Sequence, residues 1–125
     1  MTQSTFKMLP EAVTEKKASR LIPKSCFTSD KNDETTQRFY EAEDGSVATG
    51  VWECPPCKVD IDNYPVNEMM TIISGALMIT NAEGVEERFG PGEVVFVPKG
   101  SADMAHHGTT PKVLYDFNLT NSVRL

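Results

Sequence analysis

The segment that decides the fold is Gly92-Glu93-Val94-Val95-Phe96-Val97-Pro98-Lys99-Gly100, a short apolar run enclosed by glycines. Its centre, Val94 to Val97, consists of β-branched and aromatic residues, which favour strands. Pro98 ends the strand because proline has no N–H to donate to a ladder, and the flanking glycines permit tight turns. The segment therefore predicts one short strand between two turns.

The same pattern recurs along the chain from Arg38 onward, at a spacing of roughly ten residues. Turn signals containing glycine separate these runs, as in Glu43-Asp44-Gly45, Ser74-Gly75 and Asn81-Ala82-Glu83-Gly84. The predicted strands are 38–40, 47–53, 58–61, 69–73, 76–80, 85–89, 94–98 and 113–119. So many short strands predict an all-β sandwich or barrel, and the nearly continuous apolar run 76–79 favours a closed barrel.

The chain is one domain in length, with 125 residues. Residues 1–36 are polar and weakly patterned, apart from one helical candidate, Glu11 to Leu21. We therefore expect a weakly structured N-terminal arm over 1–36 and the barrel over 37–125.

Charge and hydropathy limit the partners. Twelve basic residues (Lys and Arg) against 18 acidic ones (Asp and Glu) give a net charge of −6. Because phosphate binding requires a basic surface, we expect no nucleic-acid role. The longest mostly apolar stretch, Met69 to Ile79, is shorter than the roughly 20 residues of a membrane-spanning helix. No membrane association and no secretory signal are predicted, and we expect a cytoplasmic protein.

Two spaced motifs resemble those of a known family. Gly92 to Gly100 reads G-x5-P-x-G, which resembles the first half of the second cupin motif, and Glu68 to Gly75 reads E-x6-G, which resembles the end of the first. The likeness covers about residues 45 to 117 and is similar to the small cupins grouped with ureidoglycine aminohydrolase. It implies a cupin double-stranded β-helix, that is, a jelly-roll barrel.

The resemblance also implies where a metal would bind, and the residues found there are unusual. The four positions that hold a metal in cupins carry Asp62, Tyr64, Glu68 and Asp103, so the usual histidines are absent. Three carboxylates suit a hard cation such as Mn²⁺, Mg²⁺ or Ca²⁺. The predicted metal ligands are Glu68, Asp62 and Asp103, and the candidate cofactors are manganese, iron, nickel or zinc, or no metal at all.

The candidate catalytic residues are Glu68 and His107. An inward carboxylate in a small barrel must be paired or protonated, and one imidazole beside it can carry a proton near neutral pH. Sequence parity places Asp62, Tyr64 and Glu68 on one face, with His107 inward and His106 outward, unless a bulge exchanges the two histidines. The alternatives are a solvated carboxylate for Glu68 and an exposed loop from Met104 to Gly108 for the histidines.

A small-molecule ligand is expected inside the barrel. The candidate substrate-binding residues are Tyr64, Trp52, Tyr115 and His106. For Trp52, Phe96 and Tyr115, and for the methionines such as Met69, the simpler interpretation is hydrophobic core.

Two functions are compatible with this sequence. The first is an enzyme that acts on a small polar metabolite by hydrolysis, isomerisation or proton transfer, with or without a metal. The second is a non-catalytic small-molecule-binding or accessory cupin. A third hypothesis is a redox role for Cys54 and Cys57. It is disfavoured because a redox thiolate is stabilised by a helix N-terminus, whereas residues 58–62 alternate in the manner of a strand and predict no helix after Cys57.

We also expect a homodimer, since an open-edged barrel gains by covering its edge.

Overall fold

The computed structural model describes residues 5–9, 17–18, 25 and 34–101, with Cys57 described by its backbone alone, together with the backbone of 104–118. Its strands are β1 (Lys17–Ala18), β2 (Thr35–Glu41), β3 (Val47–Glu53), β4 (Cys57–Ile61), β5 (Asn67–Thr80), β6 (Glu86–Phe89), β7 (Val94–Val97) and β8 (Met104–Asn118). The predicted all-β class is confirmed. Within the described ranges, no helix is long and apolar enough to cross a membrane.

The strands form one antiparallel sheet built around the pairing of β5 with β8. The order is β1-β2-β3-β8-β5-β6, while β4 also pairs with β8 and β7 also pairs with β5. On one side, β8 pairs with β5 along almost its whole length; on the other, it pairs first with β4 and then with β3. These two long strands therefore determine which side chains share the inner face.

Strand β5 corrects one prediction from the sequence. The expected turn at Ser74-Gly75 does not reverse the chain, because 67–80 is one continuous strand. Its register with β8 shifts between Ile72 and Ser74 and again between Ser74 and Ala76, and Gly75 has a φ of +72°. The glycine therefore permits a bulge, which bends a strand and increases its twist, instead of a hairpin turn.

Strand β8 corrects a second prediction. It begins at Met104, not at Val113, so the stretch from Met104 to Gly108, for which a loop was the alternative interpretation, is part of a strand. The His, Gly and Thr residues of 106–110 show no hydrophobic alternation, so the sequence pattern does not predict a strand there. Pairing with β4 on one side and β5 on the other supplies the stabilisation that the local sequence lacks.

The core lies between the inner faces of the strands. Its buried apolar side chains include Ala48, Val59, Met70, Ile72, Leu77 and Val97, and Trp52 packs against them while half-buried. The core role expected of Phe96 and Met69 is wrong. Their exposed fractions are 59% and 45%, and they face each other across β7 and β5 on the outer face.

The N-terminal part contacts the sheet where it is described. Phe6 stacks on Tyr40 with ring centroids 6.2 Å apart, and the Thr49 hydroxyl donates to the Met8 sulfur over 3.4 Å. The helix expected from Glu11 to Leu21 is wrong at Lys17–Ala18, which pair with β2 as β1; the rest of that range lies outside the described residues. The division at residue 36 stays a prediction, and β2 already begins at Thr35.

Candidate functional site

Glu68 lies on the inner face of β5 and is the candidate catalytic residue that the sequence indicated most directly. Alternation along β5 puts Glu68, Met70 and Ile72 on one face, and all three are buried. The cross-strand partner of Glu68 on β7 is Val97, whose side chain is also buried. Glu68 is 6% exposed, and its carboxyl group is thus placed among apolar neighbours.

Tyr64 is held over Glu68 by the loop that precedes β5. Its backbone N–H donates to the Ser101 carbonyl over 3.0 Å, and its own carbonyl accepts from the Gly100 N–H over 2.8 Å. Gly100 has a φ of +85°, a conformation that L side chains rarely adopt, so a glycine is required at this turn. The loop buries the Tyr64 ring, and its hydroxyl donates a hydrogen bond to Glu68 Oε1.

A second buried carboxyl group, from Glu34, joins this pair. Glu34 is 2% exposed and directly precedes β2, and its Oε1 accepts a hydrogen bond of 2.9 Å from Trp52 Nε1 on β3. Thr36 is the cross-strand partner of Trp52. Because Glu34 is two residues from Thr36, it occupies the same face at the diagonal position, within reach of a long side chain.

Burial is the main reason that the pKa values of Glu68 and Tyr64 are raised. It raises the pKa of Glu68 from its ordinary value of 4.5 to about 7; the Tyr64 hydrogen bond acts to lower this pKa, and the Glu34 charge raises it. Burial also raises the pKa of Tyr64 well above its ordinary value, with further contributions from Glu68 and Glu34. Tyr64 therefore stays a hydrogen-bond donor at neutral pH, whereas Glu68 exists in both protonation states.

This arrangement can perform general acid–base chemistry. A carboxyl group with a pKa near the working pH takes up and releases protons with little free-energy cost in either direction. The Tyr64 hydroxyl fixes the orientation of the carboxyl group through Oε1. The same group is ordinarily fully ionised at neutral pH, so its burial is what makes it both an acid and a base.

The carboxylate set predicted as a metal site is not assembled by the described residues. Asp62 is exposed, in contrast to Tyr64 and Glu68, so the three do not share one buried face. Among the described side chains, which leave out Cys57, no three His, Cys, Asp or Glu residues lie close enough to hold a metal ion. Asp103 lies outside the described residues, and its predicted role as a ligand stays a prediction.

The remaining candidates lie on β8, of which only the backbone is described. His106 is the cross-strand partner of Val59 and Ile79, two residues with buried side chains, whereas His107 is the partner of Lys58 and Met78. Tyr115 pairs with Gly50 and Met70. The roles predicted for these three residues stay predictions.

Cys54 and Trp52 have contacts that favour structural roles. Cys54 is 1% exposed and lies in the core cluster. The side chain of Cys57, its predicted redox partner, lies outside the described residues. Trp52, predicted as a substrate-binding residue, uses its indole N–H for Glu34. Sequence analysis missed Glu34 altogether, since it lies in a polar run that resembles a solvated loop; the signal that identifies it is the pairing of β2 with β3.

An antiparallel barrel with a polar cluster on its inner face is the architecture of a cupin. The sequence matches the family described as EutQ-like cupin domain over residues 41–117, and the chain belongs to that family. No curated protein matches the sequence.

Solved structures share this fold at low sequence identity. A putative ethanolamine utilization protein Q from Salmonella typhimurium is 22% identical, with a TM-score of 0.60 and 72% of each chain covered. A protein of unknown function from Pseudomonas syringae pv. tomato is 20% identical, with a TM-score of 0.77, 89% of this chain covered and 46% of that chain. A sugar phosphate isomerase from Silicibacter pomeroyi is 16% identical, with a TM-score of 0.62 and coverages of 91% and 76%. These likenesses establish the cupin jelly roll.

Proposed function

We propose that this cupin is an enzyme that transfers a proton to or from a small polar metabolite inside the barrel, with Glu68 as the acid/base. The observation that carries the proposal is the buried hydrogen bond from Tyr64 to Glu68, in a setting that raises the pKa of Glu68 to about 7. Strongly shifted carboxyl groups occur preferentially at functional sites. Isomerisation and hydrolysis both include such a proton transfer.

Each residue of the cluster has a distinct part in this mechanism. In an isomerisation, ionised Glu68 accepts a proton at Oε2 from a C–H bond beside a carbonyl group and gives it to another atom of the same substrate. In a hydrolysis, it accepts the proton from a water molecule whose oxygen bonds to the substrate, and it gives that proton to the group that departs as the substrate bond breaks. Tyr64 holds Oε1 throughout, and its raised pKa keeps its own proton in place. Glu34 is held by Trp52 and makes ionisation of Glu68 less favourable, so that Glu68 is a stronger base once ionised.

The sugar phosphate isomerase among the structural neighbours is compatible with this class of reaction. At 16% identity it supports only the statement that the same fold carries an enzyme. The likeness to ureidoglycine aminohydrolase-type cupins stays a prediction, and so do a bound divalent metal, the homodimer and the cytoplasmic location. Elemental analysis of untagged protein and light scattering test the metal and the dimer.

Hydrogen–deuterium exchange into substrates tests the proposal without knowledge of the product. Small 2-oxo acids, ketoses and hydroxy ketones are incubated with the protein in D₂O, and loss of the proton signal beside the carbonyl group is followed by ¹H NMR. We expect catalysed exchange with at least one compound. Because the base must be ionised, the rate of exchange rises with pH and levels off above about pH 7.

Two variants and a control make the result specific. Glu68→Gln is expected to abolish exchange, and Tyr64→Phe to reduce it by roughly 10- to 100-fold because the carboxyl group loses its orienting donor. Glu83→Gln, in the exposed turn between β5 and β6, is the matched control and is expected to keep the wild-type rate. Unchanged exchange in Glu68→Gln contradicts the proposal, and saturable binding without any exchange favours the non-catalytic alternative.

A further inference from the structure

A cavity of about 170 Å³ lies beside the Glu68 cluster and has no part in the proposed proton transfer. Strands β5 and β6 contribute Ile79, Glu87 and Phe89, and β7 contributes Val95 and Val97. Glu87 is the cross-strand partner of Ile79, and Val97 is that of Glu68, so both walls are inner faces of the sheet. The cavity thus lies one residue pair away from the buried carboxyl group without including it.

The size and lining of this cavity suit one apolar ring or a short aliphatic chain. A dry cavity of roughly 150 Å³ lined by apolar side chains is large enough to hold benzene. The walls here are mainly aliphatic and aromatic, and two of the contributing residues, Val85 and Phe96, are 58% and 59% exposed. Such exposed apolar side chains at the opening are favourable contacts for an apolar ligand.

The charge at the cavity selects the polar end of the ligand. Among the described residues that line it, Glu87 is the one with a formal charge, and there is no lysine, arginine or histidine. The nearest basic residues in sequence, Arg88 and Lys99, are exposed and do not line the cavity. The net charge of −6 adds a negative field over the whole surface.

We infer that this cavity is a binding site for a small organic cation, an amine with an apolar body of about one ring. The apolar part occupies the space between Phe89, Val95 and Val97, and the ammonium group lies beside the Glu87 carboxylate. This goes beyond the proposed proton transfer and does not depend on it, because it concerns binding alone.

Three probes of nearly equal shape and different charge test the inference: 2-phenylethylamine, 2-phenylethanol and phenylacetate. Each is titrated into the full chain labelled with ¹⁵N, and amide shifts of Phe89, Val95 and Val97 are followed. We expect saturable shifts with dissociation constants in the millimolar range, as befits ligands of about ten heavy atoms. The amine should bind roughly fivefold more tightly than phenylacetate, since one exposed charge contact changes an affinity only severalfold.

Matched variants locate the site. Val95→Phe fills the cavity and should weaken binding of the amine at least tenfold. Val94→Phe, on the outward face of the same strand, should leave the affinity for the amine unchanged. Glu87→Gln should remove the preference for the amine over phenylacetate, and Glu86→Gln should keep it. Because Glu87 is exposed, this second pair carries the test should Val95→Phe fail to fold.

Several outcomes overturn the inference. They are the absence of saturable shifts with all three probes, equal affinities for the amine and phenylacetate, and equal losses of affinity for the amine in Val94→Phe and Val95→Phe. A protein that binds the amine but shows no proton exchange contradicts the proposed function and leaves this site intact.

Discussion

Replacement of Glu68 by glutamine should change how stability depends on pH. The pKa of Glu68 is about 7 in the folded protein, against an ordinary 4.5 that applies to the unfolded chain. Between these values the folded state holds a proton that the unfolded state has released, so the free energy of unfolding falls as pH rises. The stabilisation from neutral Glu68 is complete below pH 4.5 and is lost as pH rises through 7. Glutamine resembles the neutral carboxyl group at every pH.

The pKa difference sets the magnitude of this effect. Each unit of pKa shift corresponds to about 1.4 kcal/mol, and most of the interval from 4.5 to 7 falls between pH 5 and pH 8. Wild type should therefore lose roughly 2–3 kcal/mol of unfolding free energy relative to Glu68→Gln over that range. Burial of Glu68 leaves little solvent to screen this effect.

Urea unfolding, followed by the fluorescence of Trp52, measures this difference at pH 5, 6.5 and 8. At an m-value of roughly 1.5 kcal/mol per M, the midpoint of wild type should move by roughly 1.5 M relative to the variant. Glu83→Gln, which alters an exposed turn, should follow wild type at all three pH values. A difference between wild type and Glu68→Gln that is constant within about 0.5 kcal/mol would refute the reasoning, since Glu68 would then be ionised in the fold throughout.

Four further predictions concern the frame around the site. Trp52→Phe removes the hydrogen bond to Glu34 Oε1 and should cost about 1–3 kcal/mol in urea unfolding; a loss below about 0.5 kcal/mol would contradict a buried contact. Ile72→Ala, at a side chain 1% exposed, should cost about 2–5 kcal/mol in the same assay. Gly92→Ala should cost about 1–2 kcal/mol from backbone strain alone, because its φ is +84° and no atom beyond its two chain neighbours lies within 4 Å of an added Cβ. Cys54 should resist thiol reagents in native protein and react once urea unfolds the chain, as followed by mass spectrometry.

Much of the site was predictable because it depends on local spacing. Alternation along one strand places Glu68 with Met70 and Ile72, and the cupin-like motif gives that face its direction. Sequence parity predicts Tyr64 on the same side as Glu68, and its hydroxyl does contact Glu68. The parity argument does not carry to Asp62, because Tyr64 lies in a loop between strands and period-two alternation holds only within a regular strand.

The errors in the fold arise where pairing overrides the local pattern. A glycine inside a strand pattern indicates either a turn or a bulge, and at Gly75 the partner strand decides for a bulge. Residues 104–108 extend because two neighbouring strands pair with them, a fact that single-sequence periodicity does not contain. Phe96 is of a residue type that is usually found in the core, yet alternation from the buried Val97 places its side chain on the outer face.

Glu34 shows a limit that also applies to comparison with relatives. The EutQ-like match begins at residue 41, so Glu34 lies outside the part of the chain that defines the family. Yet its charge raises the pKa of Glu68, and its partner Trp52 lies inside the matched part. The acidity of the central carboxyl group therefore depends partly on a segment that the family match does not include. A cupin with the same glutamate on β5 but another residue before β2 would have a more acidic carboxyl group, so the reaction of one member does not follow from the shared barrel.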